Sequence, residues 1–302
     1  MGGAIGAPPG APGGSAGAAL PSRTRRGYTR IMLARSEAHG VTRLHLWGPL
    51  GRALGYTVSA YHVRGVLVDT GFPGAAAVVR AWLAEARPAA AVVTHAHEDH
   101  GGNAAAVAAL GIPVVASAAT LARLRAPGAL PLYRRAVWGR PLPLPADAGV
   151  EAHGAVAAAG LARLAAPGHA DDHSVVWDAE RGHLFGGDLF LGVKVRIAHP
   201  AEDPRLLART LRRVASLQPA VLFDAHRGPI ERPAPLLRAK ADWLDATIGE
   251  VERLADAGLG EREIRRRVLG REGLVAVGSH GDYGKLNLVR AALAGRDARR
   301  SA

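Results

Sequence analysis

Residues 94–103 read T-H-A-H-E-D-H-G-G-N and follow directly on the apolar run Ala89–Val93. The segment sets His95, His97, Asp99 and His100 within six positions. Imidazole and carboxylate are the side chains that bind zinc, iron or manganese at neutral pH. Histidine is neither a strong strand former nor a preferred turn residue, so a plain loop explains the cluster poorly. A solvated His-rich turn is the alternative. Four potential ligands exceed what one open catalytic site requires, since three protein ligands plus water is usual for one zinc. On an extended loop, residues two apart can converge on one ion, which suits His95 and His97. Asp99 and His100 then point to a second ion, and each ion still lacks partners. The fold must therefore deliver further His or Asp residues from later loops.

Three later segments meet that demand. Pro167-Gly168-His169 precedes the apolar run Ser174–Trp177, Gly186-Gly187-Asp188 follows His183–Phe185, and Asp224-Ala225-His226 follows Ala220–Phe223. Each lies where a predicted strand meets a loop, the usual location of sites on a rigid scaffold. The glycines before Asp188 would let the backbone approach an ion closely. Further strands are predicted at Ile31–Ala34, Tyr56–Tyr61, Val66–Val68, Ala91–Thr94 and Val114–Ala116. Helical spacing marks Ala75–Glu85, Ala104–Leu110 and Pro204–Leu217. Many short strands with interspersed helices imply two sheets with outer helices, or an α/β layered fold.

From Pro233 the pattern turns helical almost throughout, at Pro235–Ala257, Glu261–Leu269 and Asp282–Ala294. The expected organisation is a disordered Gly/Ala/Pro-rich arm (residues 1–26), a main domain (27–232), an appended helical unit packed on that domain (233–295) and a frayed tail (296–302). The 302-residue chain contains no cysteine, so any metal must be held by His, Asp or Glu. A cysteine-free chain suits a reducing compartment, and a cytoplasmic location is expected. Pro8, Pro9 and Pro12 interrupt the first apolar stretch, which argues against a secretory signal. No later segment is apolar for long enough to predict a membrane span. The net charge of +12 could attract nucleic acid or acidic metabolites, but arginines such as Arg262, Arg265, Arg266 and Arg267 read as a solvated helix face.

The order H-x-H-x-D-H, G-H, G-D and a late His after a strand, preceded by Asp69-Thr70-Gly71, resembles the metallo-β-lactamase superfamily over roughly residues 29–229. The resemblance implies a four-layer αβ/βα sandwich with a dinuclear site at one edge. It implies that His95, His97 and His169 hold one divalent ion, that Asp99, His100 and His226 hold the other, and that Asp188 bridges them. Zinc is the expected metal, with iron or manganese as alternatives. The implied reagent is a metal-bound hydroxide, with Asp99 orienting it and relaying its proton. Asp69 is expected to orient a ligand histidine or its loop, and His173 to stand behind the ligands or serve a structural hydrogen bond. Tyr133 and Trp138, in the Pro-rich stretch 127–145, could line a substrate mouth, although loop packing is the preferred reading.

Within the resemblance, absent cysteine excludes the β-lactamases that use a Cys ligand, and Asp188 argues against the remaining type. Flavodiiron proteins usually carry a carboxylate where His97 stands. What remains is similar to the glyoxalase II-like branch, which acts on thioesters, esters or lactones as small-molecule acyl substrates. The G-H-A-D-D-H segment and the helical C-terminus are also similar to a subgroup that includes an endoribonuclease. A phosphodiesterase or nuclease acting on single-stranded nucleic acid is therefore the second expectation, and an iron-dependent sulfur dioxygenase the third. Arginines clustered at the cleft would favour the nuclease, and scattered ones the acyl hydrolase.

Overall fold

The structure is a computed structural model and describes residues 31–300. The proposed arm (1–26) and the last two residues lie outside the described residues. The first sheet holds β1 (Met32–Ala38), β2 (Val41–Trp47), β3 (Val58–Val63), β4 (Val66–Val68), β5 (Ala90–Val92), β6 (Val114–Val115) and β7 (Gly149–Val150), side by side in chain order. Its first four strands pair antiparallel, and the pairings from β4 to β7 are parallel. The second sheet comprises β8 (Leu161–Ala165), β9 (Ser174–Asp178), β10 (His183–Gly187), β11 (Val221–Asp224) and β12 (Gly228–Glu231). There, β10 and β11 run parallel and the other pairs antiparallel.

The helices of the first half are α1 (Pro49–Ala53), α2 (Ala76–Ala86), α3 (Ala104–Ala108), α4 (Ala118–Arg125), α5 (Leu132–Trp138) and α6 (Gly154–Ala158). Those of the second half are α7 (Pro204–Ala215), α8 (Ala234–Asp256), α9 (Glu261–Val268), α10 (Leu274–Gly278) and α11 (Lys285–Arg300). Helix α11 thus runs six residues beyond the end expected at Ala294. The short helices α1, α4, α5 and α6 have no counterpart in the sequence pattern, because five to eight residues give too little periodicity to recognise.

Strand alternation sorts the core into layers. On the first sheet, Leu44, Leu46 and Leu67 face α2 and α3, where Val79, Leu83 and Val107 cover them. The intervening Val66 and Val68 face the second sheet and meet Phe185 and Phe223. On the second sheet, Leu184 and Leu222 point the other way, onto Leu207 and Leu211 of α7 and Leu237 and Leu244 of α8. Period-two alternation in buried strands therefore gives helix, sheet, sheet and helix in order, the four-layer sandwich. The helical C-terminus is present, and its first helix, α8, packs on the main domain and helps cover the second sheet. The far half of α8 joins α9 and α11 in a smaller core around Val251, Ile264 and Val289.

Strand direction positions the site. Because β4 and β5 are parallel, and β8, β10 and β11 share one direction, their C-terminal ends emerge at common edges. The loops after these five strands carry Asp69, residues 94–103, His169, Asp188 and His226.

Candidate metal centre

All seven residues singled out in the sequence converge at this edge. Two groups form, His95, His97, His169 and Asp188 in one, and Asp99, His100 and His226 in the other, with candidate ligand atoms within 4.8 Å of one another in each. Asp188 lies between them. Its Oδ2 is 3.4 Å from His169 Nε2, while its Oδ1 is 3.1 Å from His100 Nε2 and 3.0 Å from His226 Nε2. Asp99 Oδ2 stands 3.5 Å from His226 Nε2 and 3.7 Å from His100 Nε2.

Hydrogen bonds fix which ring nitrogen faces the centre. His100 Nδ1 bonds Asp69 Oδ2 at 2.8 Å, and His226 Nδ1–H donates to the Thr57 carbonyl at 2.6 Å. Both leave Nε2 pointing inward. Asp69 also accepts from the Thr94 N–H at 2.8 Å, so it holds His100 and the start of the motif loop together. His173 donates from Nδ1 to the Ala166 carbonyl at 3.1 Å and accepts the Asp188 N–H at Nε2, 3.2 Å away. It thereby sets the backbone at Asp188. Gly187 is required for the same packing: its φ is +50°, and a Cβ there would come within 2.9 Å of His173 Nε2 and 2.8 Å of Thr94 Oγ1. The absence of a side chain at Gly187 thus lets the backbone pass close to Thr94 and His173.

Electrostatics differ between the groups. Burial pushes His95 and His97 well below the ordinary imidazole range, helped by neighbouring histidines, and takes His169 down to about 3. Burial opposes charge at His100 and His226 too, but there the Asp188 and Asp99 carboxylates prevail. His100 is held well above its usual range and His226 is raised to about 9. Asp188 is correspondingly driven well down, its burial outweighed by His100 and His226.

The residues fit divalent cations on two grounds. The donors are imidazoles and carboxylates, the set that zinc, iron and manganese accept. Moreover, His95 Nε2, His100 Nε2 and Asp188 Oδ1 are buried without a hydrogen-bond partner. Buried polar atoms are nearly always satisfied, so orphaned ligand-type atoms aimed at one place point to a bound ion.

Several functional neighbours escaped the sequence. Glu98 forms a buried bidentate pair with Arg134 of α5, the second bond at 2.6 Å. Asp172 accepts the Ala96 N–H at 3.0 Å and so braces the loop between His95 and His97. Glu202 Oε1 lies 3.8 Å from His169 Nδ1. Lys240 of α8 donates to the carbonyls of Leu189 and Phe190, at 3.1 and 2.6 Å, just after Asp188. Its place beside Leu237 and Ala241 on the buried face of α8 was the available signal. Tyr133 and Trp138 are not loop packing but lie on α5, where both line the cleft. His39, His45, His62, His153, His183, His199 and His280, which no motif supported, lie outside both ligand groups.

The metallo-beta-lactamase superfamily model matches residues 55–226. The chain belongs to that superfamily of metal-dependent hydrolases. A Bacillus subtilis (strain 168) protein described as "Probable metallo-hydrolase YqjP" is 30% identical over 112 residues, 32% of this chain and 33% of that relative. The chain thus matches about a third of the length of this curated relative. Among solved structures, a metallo-beta-lactamase family protein of Thermus thermophilus superimposes with a TM-score of 0.58 at 23% identity, covering 85% of this chain and 92% of that one. A metallo-beta-lactamase of Erythrobacter litoralis gives 0.52 at 23%, over 72% and 99%. FIM-1 of Pseudomonas aeruginosa, in its mono-zinc form, gives 0.51 at 20%, over 70% and 95%. These likenesses are of fold. Among the described residues no helix is long and apolar enough to cross a membrane.

Proposed function

We propose that this chain is a dinuclear zinc hydrolase of the glyoxalase II-like kind, acting on an acyl substrate, a thioester, ester or lactone. His95, His97 and His169 would hold one ion and Asp99, His100 and His226 the other, with Asp188 shared between them. The division of Asp188 between the two groups and the orphaned ring nitrogens support this ligand set. Zinc suits a donor set of imidazoles and carboxylates. Such ions, when bound, supply Lewis acidity and lower the pKa of water.

The charge of the cleft carries the choice of an acyl substrate. The cleft has a volume of about 300 Å³, and its basic lining residues are Arg134 and Lys240. Arg134 is consumed by Glu98, and Lys240 by two backbone carbonyls. Several arginines elsewhere pair locally, as Arg123 does with Asp172, Arg205 with Glu252 and Arg212 with Asp245. A phosphodiester strand needs free cations along its path, and among the described residues the cleft offers none unpaired.

In the reaction, a water oxygen bonds to the acyl carbon and the C–S or C–O bond breaks. The electron pair leaves on sulfur or oxygen, which takes up a proton. Asp99 directs Oδ2 towards His100 and His226, which leaves Oδ1 to orient the water and accept its proton. Asp69, His173 and Lys240 hold His100 and Asp188 in place, by hydrogen bonds to side chain, amide and adjoining carbonyls respectively.

The test is metal analysis of the purified protein, joined to turnover of a thioester, a lactone and a single-stranded RNA. Two metals per chain and acyl turnover that is insensitive to added salt are expected. Cleavage of RNA that falls steeply with salt, without acyl turnover, would establish the nuclease instead. Failure to bind about two metals would remove the dinuclear centre.

A further inference from the structure

We infer that the C-terminal helices convert the metal cleft into an acyl-chain pocket, and that the substrate carries an aliphatic acyl group of about octanoyl size. The inference rests on the acyl-hydrolase reading and deepens it. The cleft is continuous from His97, Asp99, His169, Asp188 and His226 to a wall supplied by the helices beyond Pro233. That wall contains Leu244 of α8, Val275 of α10 and Leu288 of α11, and Val195, Ile197 and Leu207 line the same cleft.

The charged groups along the way, apart from the candidate ligands, are already engaged, and the three tyrosines, Tyr56, Tyr133 and Tyr283, add aromatic rings to the lining. Arg134 is bound to Glu98, Glu202 accepts the His199 N–H at 2.9 Å, and Lys240 donates to the Leu189 and Phe190 carbonyls. A charged substituent entering this arm would lose water without gaining a free charge to pair with. An alkyl chain loses nothing and gains burial. At about 300 Å³ the cavity is at the small end of small-molecule sites, too small for a large headgroup and a long chain together. The outer edge is apolar as well: α10 places Val275 in the wall and leaves Leu274 and Val277 89% and 72% exposed. Scattered exposed leucines are ordinary, but two apolar residues on the short helix that lines the cleft extend its apolar surface outward.

The experiment uses the full zinc-loaded chain and acetyl, butanoyl, octanoyl and dodecanoyl thioesters of one thiol. Each buried methylene is worth up to about fourfold. The specificity constant kcat/KM should therefore rise by at least about a hundredfold from acetyl to octanoyl and level off by dodecanoyl. Calorimetry supplies a readout apart from turnover, with octanoate expected to bind saturably and at least about tenfold more tightly than acetate. Leu244→Trp should fill the arm and move the optimum to butanoyl. Because Leu244 is buried and the variant can fail to fold, Val275→Trp, at a part-exposed position, should give the same shift. A flat or falling chain-length profile, equal binding of acetate and octanoate, or Trp variants with unchanged profiles would each overturn the pocket while leaving acyl hydrolysis intact. If no thioester of any length is cleaved and RNA is, the acyl reading fails and the pocket with it.

Discussion

Asp188 reaches histidines from three separate loops with two oxygen atoms, and Asp99 meets two of those same histidines from a fourth direction. Asp188 is buttressed at its amide by His173, whereas Asp99 has an oxygen left over, which separates a holding role from a chemical one. Asp99→Asn keeps the shape and the Oδ1 acceptor but removes the charge that takes up a proton. Turnover should fall by about a hundredfold or more, with at most a modest loss of bound metal, checked by steady-state kinetics beside metal analysis. Full metal content with near-normal turnover would remove Asp99 from proton transfer. At this scale the ligand set was legible because it is written as short motifs, H-x-H-x-D-H above all, whose spacing survives without any knowledge of the fold. Glu98, Glu202 and Lys240 were not. Each is a single charged residue whose meaning comes from a partner 33 to 51 positions away, Glu202 from His169, Glu98 from Arg134 and Lys240 from Leu189.

Helix α5 shows what a short element contributes. Its seven residues make too few turns for a hydrophobic period to show, and in sequence they are only part of a Pro-rich stretch. In the structure Trp138 packs on Phe72, Tyr133 bonds Asp282 at 3.1 Å, and Arg134 reaches Glu98 inside the metal loop. The helix thus ties the motif loop to the segment that leads into α11. Burial decides how much the Arg134–Glu98 pair matters. An exposed pair contributes about 0–1 kcal/mol, but the Glu98 side chain is 2% exposed, and a buried carboxylate left alone is costly. Arg134→Met should therefore lower unfolding stability by about 3 kcal/mol, seen as a smaller denaturant midpoint at unchanged slope. The double variant with Glu98→Gln should recover part of that loss, since no buried charge is then stranded. A loss below about 1 kcal/mol for the single variant would mean that solvent, and not Arg134, satisfies Glu98.

For the whole molecule, the issue is whether the chain divides at Pro233, where composition turns helical. The layered sandwich itself was visible in the alternation of strands and helices, and its four-layer form in the family motifs. The helical unit was expected to pack on the main domain, but texture alone does not record which face of a helix another element needs. The buried stripe of α8 runs through Ala234, Leu237, Ala241 and Leu244 and lies against Leu184, Leu222 and α7, so the outer layer of the second sheet spans both sides of the presumed boundary. Lys240 on the same face holds the backbone just after Asp188, which makes the metal centre depend on this helix as well as the core. Magnitudes favour one cooperative unit. Leu237 and Leu244 alone are worth about 3–6 kcal/mol of burial, against a typical net stability of about 5–15 kcal/mol. A chain ending at Arg232 should therefore lose cooperative thermal unfolding and bind apolar dye, rather than yield a folded, metal-binding core. The full chain should show one unfolding transition that rises with added zinc, by about 2.7 kcal/mol at a hundredfold excess over Kd. A truncated chain that unfolds cooperatively and still binds two metals would restore the boundary at Pro233 and make α8 a separable cover for the substrate cleft.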